Sequence, residues 1–334
     1  MIRKLIIVFL AMFIFLGCIN LDVEKGLNGE NNKTTGPKTE TNTSIKIGPE
    51  INGTITGHRS DDKIYVNGTY LYTPNSILSV YFIDTKIRYM QGDAIFIKKG
   101  EFEMLIDCGS KESEKHVMDF ISGKISGDLE VIIITHDDNE HWGGLSAILE
   151  KYKVNEIWWN GIYDSDEYYQ LLQIATEQGV FLRTVEKDDF FDVNGADLKI
   201  LNPSKEKFPS ADTSAIISRL EYDKTCILFL SDSVYGSQAN IINAYGNLLA
   251  CEIMQVPYSG LGTGNANLNI LLSYVEPKYA VMTGDLNIKN PSNPVLRDPT
   301  YQQLAWANTT VYETFEGGTV KITSNGPEYS IGYQ

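Results

Sequence analysis

From residue 78 onward, short apolar runs alternate with longer amphipathic stretches. Leu78–Ile83, Ala94–Ile97 and Phe102–Ile106 predict strands, the last ending at Asp107-Cys108-Gly109, and Lys111–Ile121 predicts a helix. Leu129–Ile134 is almost purely aliphatic and of strand length, the pattern of a strand covered on both faces. It stops at Thr135-His136, and a helix is expected over Gly143–Glu150. The order then recurs more loosely. Strands are expected at Val154–Trp158, Leu198–Leu201, Ser214–Tyr222, Thr225–Leu230, Glu252–Val256 and Tyr279–Met282. Helices are expected at Glu167–Gln178, Ile241–Leu249, Leu268–Val275 and Pro299–Ala307, and short strands close the chain at Thr310–Tyr312, Thr319–Thr323 and Tyr329–Ile331. Two half-repeats of similar order imply two sheets between helical layers, an αββα arrangement, although pattern alone is also compatible with other α/β layouts.

The first residues follow a different rule. Met1-Ile2-Arg3-Lys4 is a short basic lead, Leu5–Leu16 is uninterrupted apolar sequence, and Gly17-Cys18 closes it. Such a run is short against the roughly 20 residues of a membrane-spanning helix, but suits the apolar region of a secretion signal. Cys18 after a small residue resembles the lipobox of bacterial lipoproteins, whose cysteine receives lipid; Phe15 departs from the usual aliphatic residue. An ordinary cleaved signal or an uncleaved anchor remains open, and each of these readings exports the protein. Residues 19–48 are rich in Asn, Thr, Lys, Glu and Gly. They lack the apolar surface to offset ordering and are expected to form a flexible tether. The expected organisation is thus a signal at 1–18, a tether at 19–48, an extension at 49–77 and one large domain at 78–334. Sequons at Asn32, Asn42, Asn52, Asn67 and Asn308 permit glycosylation in a host that glycosylates.

The net charge of −15 disfavours nucleic acid and anionic lipid as docking partners, because both call for a basic stripe. Membrane contact is expected only through the N-terminal lipid anchor. Beyond Cys18 the cysteines are Cys108, Cys226 and Cys251, in apolar, strand-like contexts at irregular spacing. Three cannot pair completely, so they are expected to be small buried side chains rather than a disulfide framework.

Candidate chemistry concentrates in Thr135-His136-Asp137-Asp138-Asn139-Glu140-His141-Trp142-Gly143-Gly144. The stretch lies where a buried strand stops and a helix starts, the edge at which open α/β sheets place ligands. His136, Asp138, Glu140 and His141 are spaced to converge on one point. Imidazole suits Zn, Mn or Fe, and carboxylate favours the harder ions of that series. A solvated acidic loop with two incidental histidines is the bland alternative.

This stretch resembles the metallo-β-lactamase superfamily, whose pattern is H-x-H-x-D-H followed by Gly-Gly after an aliphatic strand. Within it, the chain resembles the hydrolase domains of ComEC, the competence DNA-uptake protein, and their stand-alone homologues. Leu78–Ile83 matches the opening strand, Gln91-Gly92-Asp93-Ala94 the Q-G-D-A turn, and Leu105-Ile106-Asp107-Cys108-Gly109 the I-D-x-G strand end. Phe229-Leu230-Ser231-Asp232 falls where the family has L-x-G-D, whose aspartate bridges two metals. Pro277–Val281 and Gly318–Gly326 resemble the late strand and closing hairpin. The resemblance implies an αββα four-layer metallo-β-lactamase sandwich over about residues 78–334.

The departures fall on the ligands. A dinuclear site of this family draws four or five histidines, and this chain has only His58, His116, His136 and His141. His58 and His116 lie outside the family motifs and are expected at the surface. V-P-H-H-G-S becomes Val256-Pro257-Tyr258-Ser259-Gly260, and N-x-x-x-H-P becomes Asn287-Ile288-Lys289-Asn290-Pro291. The resemblance therefore implies an altered ligand set of His136, Asp138, Glu140, His141 and Asp232. It would hold one or two divalent ions (Zn, Mn or Fe), or none. With metal, the expected function is hydrolysis of a phosphoester or acyl centre in a small-molecule or polymer substrate, with Asp138, Glu140 and Tyr258 as catalytic candidates. Without it, the same cleft would serve an inactive binding module. Asp285 is a minor candidate ligand, Gly260–Gly264 a lid or phosphate loop, and Trp158-Trp159 with Tyr163, Tyr168 and Tyr169 either packing or a cleft lining.

Overall fold

The structure is a computed structural model that describes residues 46–47, 76–86, 92–204, 212–261, 267–284 and 298–334. The signal with Cys18, nearly all of the tether and extension, His58, Gln91, Gly262–Gly264, Asp285 and Asn287–Pro291 lie outside the described residues.

Fifteen of the described strands form two mixed sheets. The first is built from β1 (Leu78–Phe82), β2 (Ala94–Lys99), β3 (Phe102–Cys108), β4 (Leu129–Ile134), β5 (Val154–Trp159) and β6 (Phe181–Thr184). The second holds β7 (Phe190–Val193), β8 (Ala196–Asn202), β9 (Ile217–Tyr222), β10 (Thr225–Phe229), β11 (Ile253–Gln255), β12 (Tyr279–Met282) and β13 (Thr310–Glu313). The chain then returns to the first sheet as β14 (Val320–Ser324) and β15 (Tyr329–Tyr333), so that β14 pairs antiparallel with β1. In each sheet the early strands are antiparallel and the later ones parallel: β3 through β6 in the first, β10 through β13 in the second.

The alternation of side chains along each strand divides the core into three layers. Ile95, Ile97, Met104, Ile106, Val131, Ile133 and Trp158 face Leu198, Leu220, Ile227, Phe229, Ile253 and Val281 of the other sheet. Their neighbours Phe96, Leu105, Ile132 and Ile134 turn outward, against helices α1 (Glu114–Ser122), α3 (Leu145–Lys151) and α4 (Asp166–Glu177), with the single turn α2 (Asn139–Trp142) ahead of α3. On the opposite side Leu228, Met254, Ala280 and Met282 pack against α5 (Tyr235–Tyr245), α6 (Leu268–Val275) and α7 (Asp298–Trp306). The result is the expected αββα sandwich. Trp158 fills the space between the sheets, and Trp159 and Tyr168 the layer beneath the helices.

The differences from expectation have local causes. The helix expected at Ile241–Leu249 begins at Tyr235, because its first turns are polar; Ser237 Oγ accepts the Val234 N–H at 3.0 Å and opens it. The strand expected from Ser214 begins at Ile217, after a 3-10 turn at Asp212–Ser214. β6 and β7 are four-residue strands at sheet edges whose side chains are mostly exposed or half-buried, so neither shows a long buried apolar run. Lys46–Ile47, within the expected tether, pairs antiparallel with Ile162–Tyr163.

The expectation for two cysteines is corrected. Cys226 and Cys251 form a disulfide across Cα atoms 5.1 Å apart, while Cys108 stays free and buried. Irregular spacing hid the pair because parallel register creates it: Ile227 lies beside Ile253, so the chain entering β10 passes the chain entering β11. The bridge closes a loop of 25 residues, for which chain entropy gives about 3 kcal/mol. Cys251→Ser is therefore expected to lose stability of that order in urea unfolding, and an unchanged midpoint would contradict the bridge.

A buried acid on β4 carries a second prediction. Glu130 Oε2 accepts the Glu103 N–H at 2.7 Å, but burial, with Glu103 and Asp128 nearby, pushes its carboxyl up to about 7. The folded state thus holds this proton more tightly than the unfolded chain, whose ordinary value is 4.5. Stability contributed below that value is lost as pH rises through about 7. Glu130→Gln is expected to melt higher than the parent at pH 8 and close to it at acid pH; parallel melting curves would contradict this.

Candidate metal centre

The carboxyl ends of β3, β4, β10 and β11 supply the residues of interest, the position at which parallel strands leave side chains free for ligands. Asp107 sits within the end of β3, Thr135 and His136 follow β4, and Asp232 lies just past β10. The backbone turns sharply there. Asp107 (φ 59°), Ser231 (φ 45°), Tyr258 (φ 52°) and Ser259 (φ 48°) all adopt left-handed conformations. Non-glycine residues stay in that region only where the surroundings hold them, typically at functional sites. The helical turn Asn139–Trp142 presents His141 inward, and Gly143-Gly144 lets it dock. A Cβ on Gly144 would run into the Cys108 carbonyl, and one on Gly143 into the Lys111 N–H.

One carboxylate organises both imidazoles. Asp107 Oδ1 accepts the Thr135 N–H at 2.8 Å, and its Oδ2 accepts the Thr135 hydroxyl and His141 Nδ1, each at 2.8 Å. Because Thr135 gives its only hydroxyl hydrogen to Asp107, its oxygen must accept from His136 Nδ1, 3.0 Å away. Both rings therefore carry a proton on Nδ1 and aim Nε2 into the centre. Outer partners of this kind set tautomer and ring orientation in metal sites. A second network holds the opposite wall. Gln255 Oε1 accepts the N–H groups of Leu230 (3.1 Å) and Ser231 (2.9 Å), and its amide donates to Asp93 Oδ2 at 2.6 Å. Ser231 Oγ meets Thr135 Oγ1 at 2.8 Å and joins the networks.

The atoms aimed inward are orphans. His136 Nε2, His141 Nε2, Asp232 Oδ1 and Asp93 Oδ1 are buried without hydrogen-bond partners. Buried polar atoms are normally paired, so these exceptions, on residues whose ligand atoms lie close together, mark a place for a charged ligand. His141 Nε2 lies 3.5 Å from Asp232 Oδ2, and ligand atoms of His136, His141 and Asp232 all fall within 4.8 Å of one another. Two imidazoles and a carboxylate fit a divalent transition ion. Asp107, His141 and Asp93 form another close group, but the Asp107 oxygens are already engaged by Thr135 and His141, so Asp107 supports the centre rather than ligating. His136, Asp138 and Asp212 form a third group, with His136 Nε2 3.6 Å from Asp138 Oδ2.

Charge at the centre is unbalanced. Burial alone would lower the His141 pKa, but Asp107 and Asp232 on either side more than reverse this and hold it well above the ordinary value. A proton then occupies the place a cation would take, and metal uptake must displace it. Burial, with Asp232 and Asp107 adding to it against the pull of His141, raises Asp93 to about 6. Asp138 is lowered by its contact with His136 and stays ionised.

Of the residues expected from sequence, His136, His141 and Asp232 come together in one buried group, and Asp138 joins His136 in another. Glu140 is half-buried and belongs to none of the three groups, its carboxyl raised chiefly by burial. Tyr258 is half-buried near the cluster: burial, then the charges of Asp212, Asp232, Asp138 and Glu140, push its phenol up, so it remains a proton donor. His116 lies on α1 and belongs to none of these groups. Sequence reasoning missed Asp107 and Asp93 as site members although their motifs were visible. It missed Asp212 and Gln255 altogether, since neither lies near the histidine stretch in sequence. Asp137 is a tie, not a ligand: it accepts the Asp164 and Ser165 N–H groups (2.7 Å each) and the Trp142 indole N–H (3.1 Å). A cleft of about 340 Å³ lined by Asp138, Trp142 and Glu167 opens beside this tie.

Loss of the organising carboxylate is testable. Asp107→Ala is expected to weaken Zn²⁺ binding about 10- to 100-fold by freeing both rings. Calorimetric titration showing parental affinity would contradict the role assigned to Asp107.

The comparisons with known proteins agree with this geometry. The sequence model of the metallo-beta-lactamase superfamily matches residues 87–212. The chain is 23% identical over 256 residues to ComE operon protein 3 of Bacillus subtilis, covering 69% of this chain and 31% of that protein. It thus spans less than a third of that relative's length. Among solved structures, the metallo-beta-lactamase fold protein YhfI of Bacillus subtilis superposes with a TM-score of 0.50 at 10% identity, over 77% of this chain and all of that one. Residues 87–212 thus match the metallo-beta-lactamase superfamily, and the two-sheet architecture is the fold of a solved protein of that type.

Proposed function

We propose that the protein is an exported, metal-dependent hydrolase whose ligand set has shifted from nitrogen toward oxygen. The observation that carries this reading is the pair of orphaned nitrogens, His136 Nε2 and His141 Nε2, converging with Asp232 in a buried site. A cation held by His136, His141 and Asp232 would acidify a bound water and polarise a phosphoester or acyl oxygen. Around it, Asp138 is ionised and half-exposed, suited to accept the proton that the attacking water loses. Tyr258 keeps its proton and faces the same carboxylates, suited to donate to a leaving oxygen. Uncompensated, this concentration of carboxylates would repel an anionic substrate, and a cation held there would also serve substrate binding. The cleft beside Asp138 gives an approach for a small molecule or a polymer end.

Export rests on the basic lead, the apolar run and Cys18, with lipid on Cys18 as the membrane anchor. The Cys226–Cys251 disulfide supports the same reading, because such bonds persist in oxidising compartments.

Protein purified without chelators is expected to carry about one equivalent of transition metal and to hydrolyse phosphodiester or ester substrates. His141→Ala is expected to lose both metal and turnover. Metal-free protein whose melting is indifferent to added Zn²⁺ and Mn²⁺ would overturn the metal centre. Stoichiometric metal without turnover of either substrate class would overturn the hydrolase reading in favour of a binding module.

A further inference from the structure

The Cys226–Cys251 bridge does more than close a loop, because a cation sits on one of its sulfurs. Arg219, in β9, donates from Nε to Cys226 Sγ at 3.2 Å. We propose that this bridge is a reversible thiol–disulfide site, opened by a small dithiol that attacks Cys251 Sγ and expels Cys226 as a thiolate paired with Arg219. The inference is independent of the metal centre. It places a second chemistry at the opposite end of β10 and β11 from Asp232 and Gln255.

Strand pairing brings the groups together. In the antiparallel β9–β10 pair, Cys226 stands opposite Glu221 and Leu228 opposite Arg219, so all four share the face covered by the outer helices. From there the guanidinium spans the entrances of both bridged strands. Its Nη1 donates to the Leu248 carbonyl, and its Nη2 to the Ala250 carbonyl at 3.2 Å, directly ahead of Cys251. Nη2 also pairs with Glu221 Oε1 at 2.7 Å. Glu221 is 48% exposed, so Nη2 and solvent offset its charge while Nε stays on the sulfur. None of these bonds needs the S–S bond, and they keep the two strand entrances together once it opens.

The two sulfurs are unequal as leaving groups. A neighbouring guanidinium stabilises a thiolate, and a thiol of lower pKa leaves faster in exchange. Cys226 has Arg219, whereas Cys251 is followed by Glu252, whose charge opposes a thiolate there. Access favours attack at Cys251 as well. Cys226 belongs to a strand buried along its length, while Cys251 follows the exposed Leu248 and Ala250 at the end of a 3-10 turn. Cys226 and Cys251 are only 6% and 4% exposed, which suits a small dithiol rather than a docked protein. One thiolate of the dithiol bonds to Cys251 Sγ, the S–S bond breaks, and its electron pair departs on Cys226 Sγ. The second thiol then displaces Cys251, passing its proton to that sulfur, and the dithiol leaves as its own disulfide. Two electrons have moved from the dithiol to the bridge, and the reverse sequence restores it.

The test equilibrates the full chain with reduced and oxidised dithiothreitol at about pH 8, traps free thiols with a maleimide and counts them by mass spectrometry. Arg219→Met is expected to lower the ratio of reduced to bridged protein about tenfold. Glu221→Gln, which frees the guanidinium charge, should raise that ratio, and it carries the comparison if Arg219→Met does not fold. Thiolate absorbance in the single variants separates the sulfurs: Cys226, left alone by Cys251→Ser, should titrate about one pH unit or more below Cys251, left alone by Cys226→Ser. Reduction should also be reversible, with the parental melt restored on reoxidation. A ratio indifferent to both Arg219 and Glu221, Cys226 titrating at or above Cys251, or irreversible loss of the cooperative melt on reduction would overturn the inference.

Discussion

The carboxylate of Asp107 is the constraint on which the rest of the centre depends. It receives three hydrogen bonds, one from the Thr135 backbone and one each from the Thr135 hydroxyl and His141. Through the threonine it dictates the tautomer of His136, which it does not touch. A buried carboxylate is tolerable only when its lone pairs are used in this way, and here that requirement fixes two imidazoles at once. The left-handed backbone of Asp107 is held by the same bonds. The sandwich contributes rigidity: β3 and β4 are covered on both faces, so the strand ends that carry Asp107 and Thr135 have little freedom.

The opposite wall is built by a different device with the same effect. Gln255 binds two backbone N–H groups just before Asp232 and gives its amide to Asp93. One side chain thus positions the Asp232 corner and one of the acids behind it. With two walls fixed independently, the orphaned atoms between them are a product of the architecture rather than of loose packing. The carboxylates then define the electrostatic problem of the site. Asp93, Asp107, Asp138, Asp212 and Asp232 gather around two imidazoles; burial chiefly raises Asp93, with Asp232 and Asp107 adding to it, and the same two carboxylates raise His141 against the effect of burial. A bound cation would relieve it directly.

Much of this was legible in the sequence, for identifiable reasons. Strands buried on both faces, such as Leu129–Ile134, announce themselves as aliphatic runs. His136, Asp138 and His141 are close in sequence, so their convergence needs only one turn and one short helix. Asp232 was visible because it ends a buried strand. Contacts that arise from pairing between strands were not legible. Asp212 reaches His136 only because Ile216 is bonded to Thr135 across the two sheets, and Gln255 reaches Asp93 only because the sheets face each other. The Cys226–Cys251 bridge is a consequence of register, which irregular spacing does not reveal. Glu140 illustrates the converse: its sequence position beside His141 suggested a ligand, but the short helix that turns His141 inward leaves Glu140 half-exposed, outside the three groups.

If His136, His141 and Asp232 hold one ion together, X-ray absorption at the zinc edge of the Zn²⁺-loaded protein will register both rings. The expected spectrum has the multiple-scattering pattern of two imidazoles, with nitrogen at about 2.0–2.1 Å, together with oxygen ligands. A shell of oxygen alone, without imidazole scattering, would contradict it.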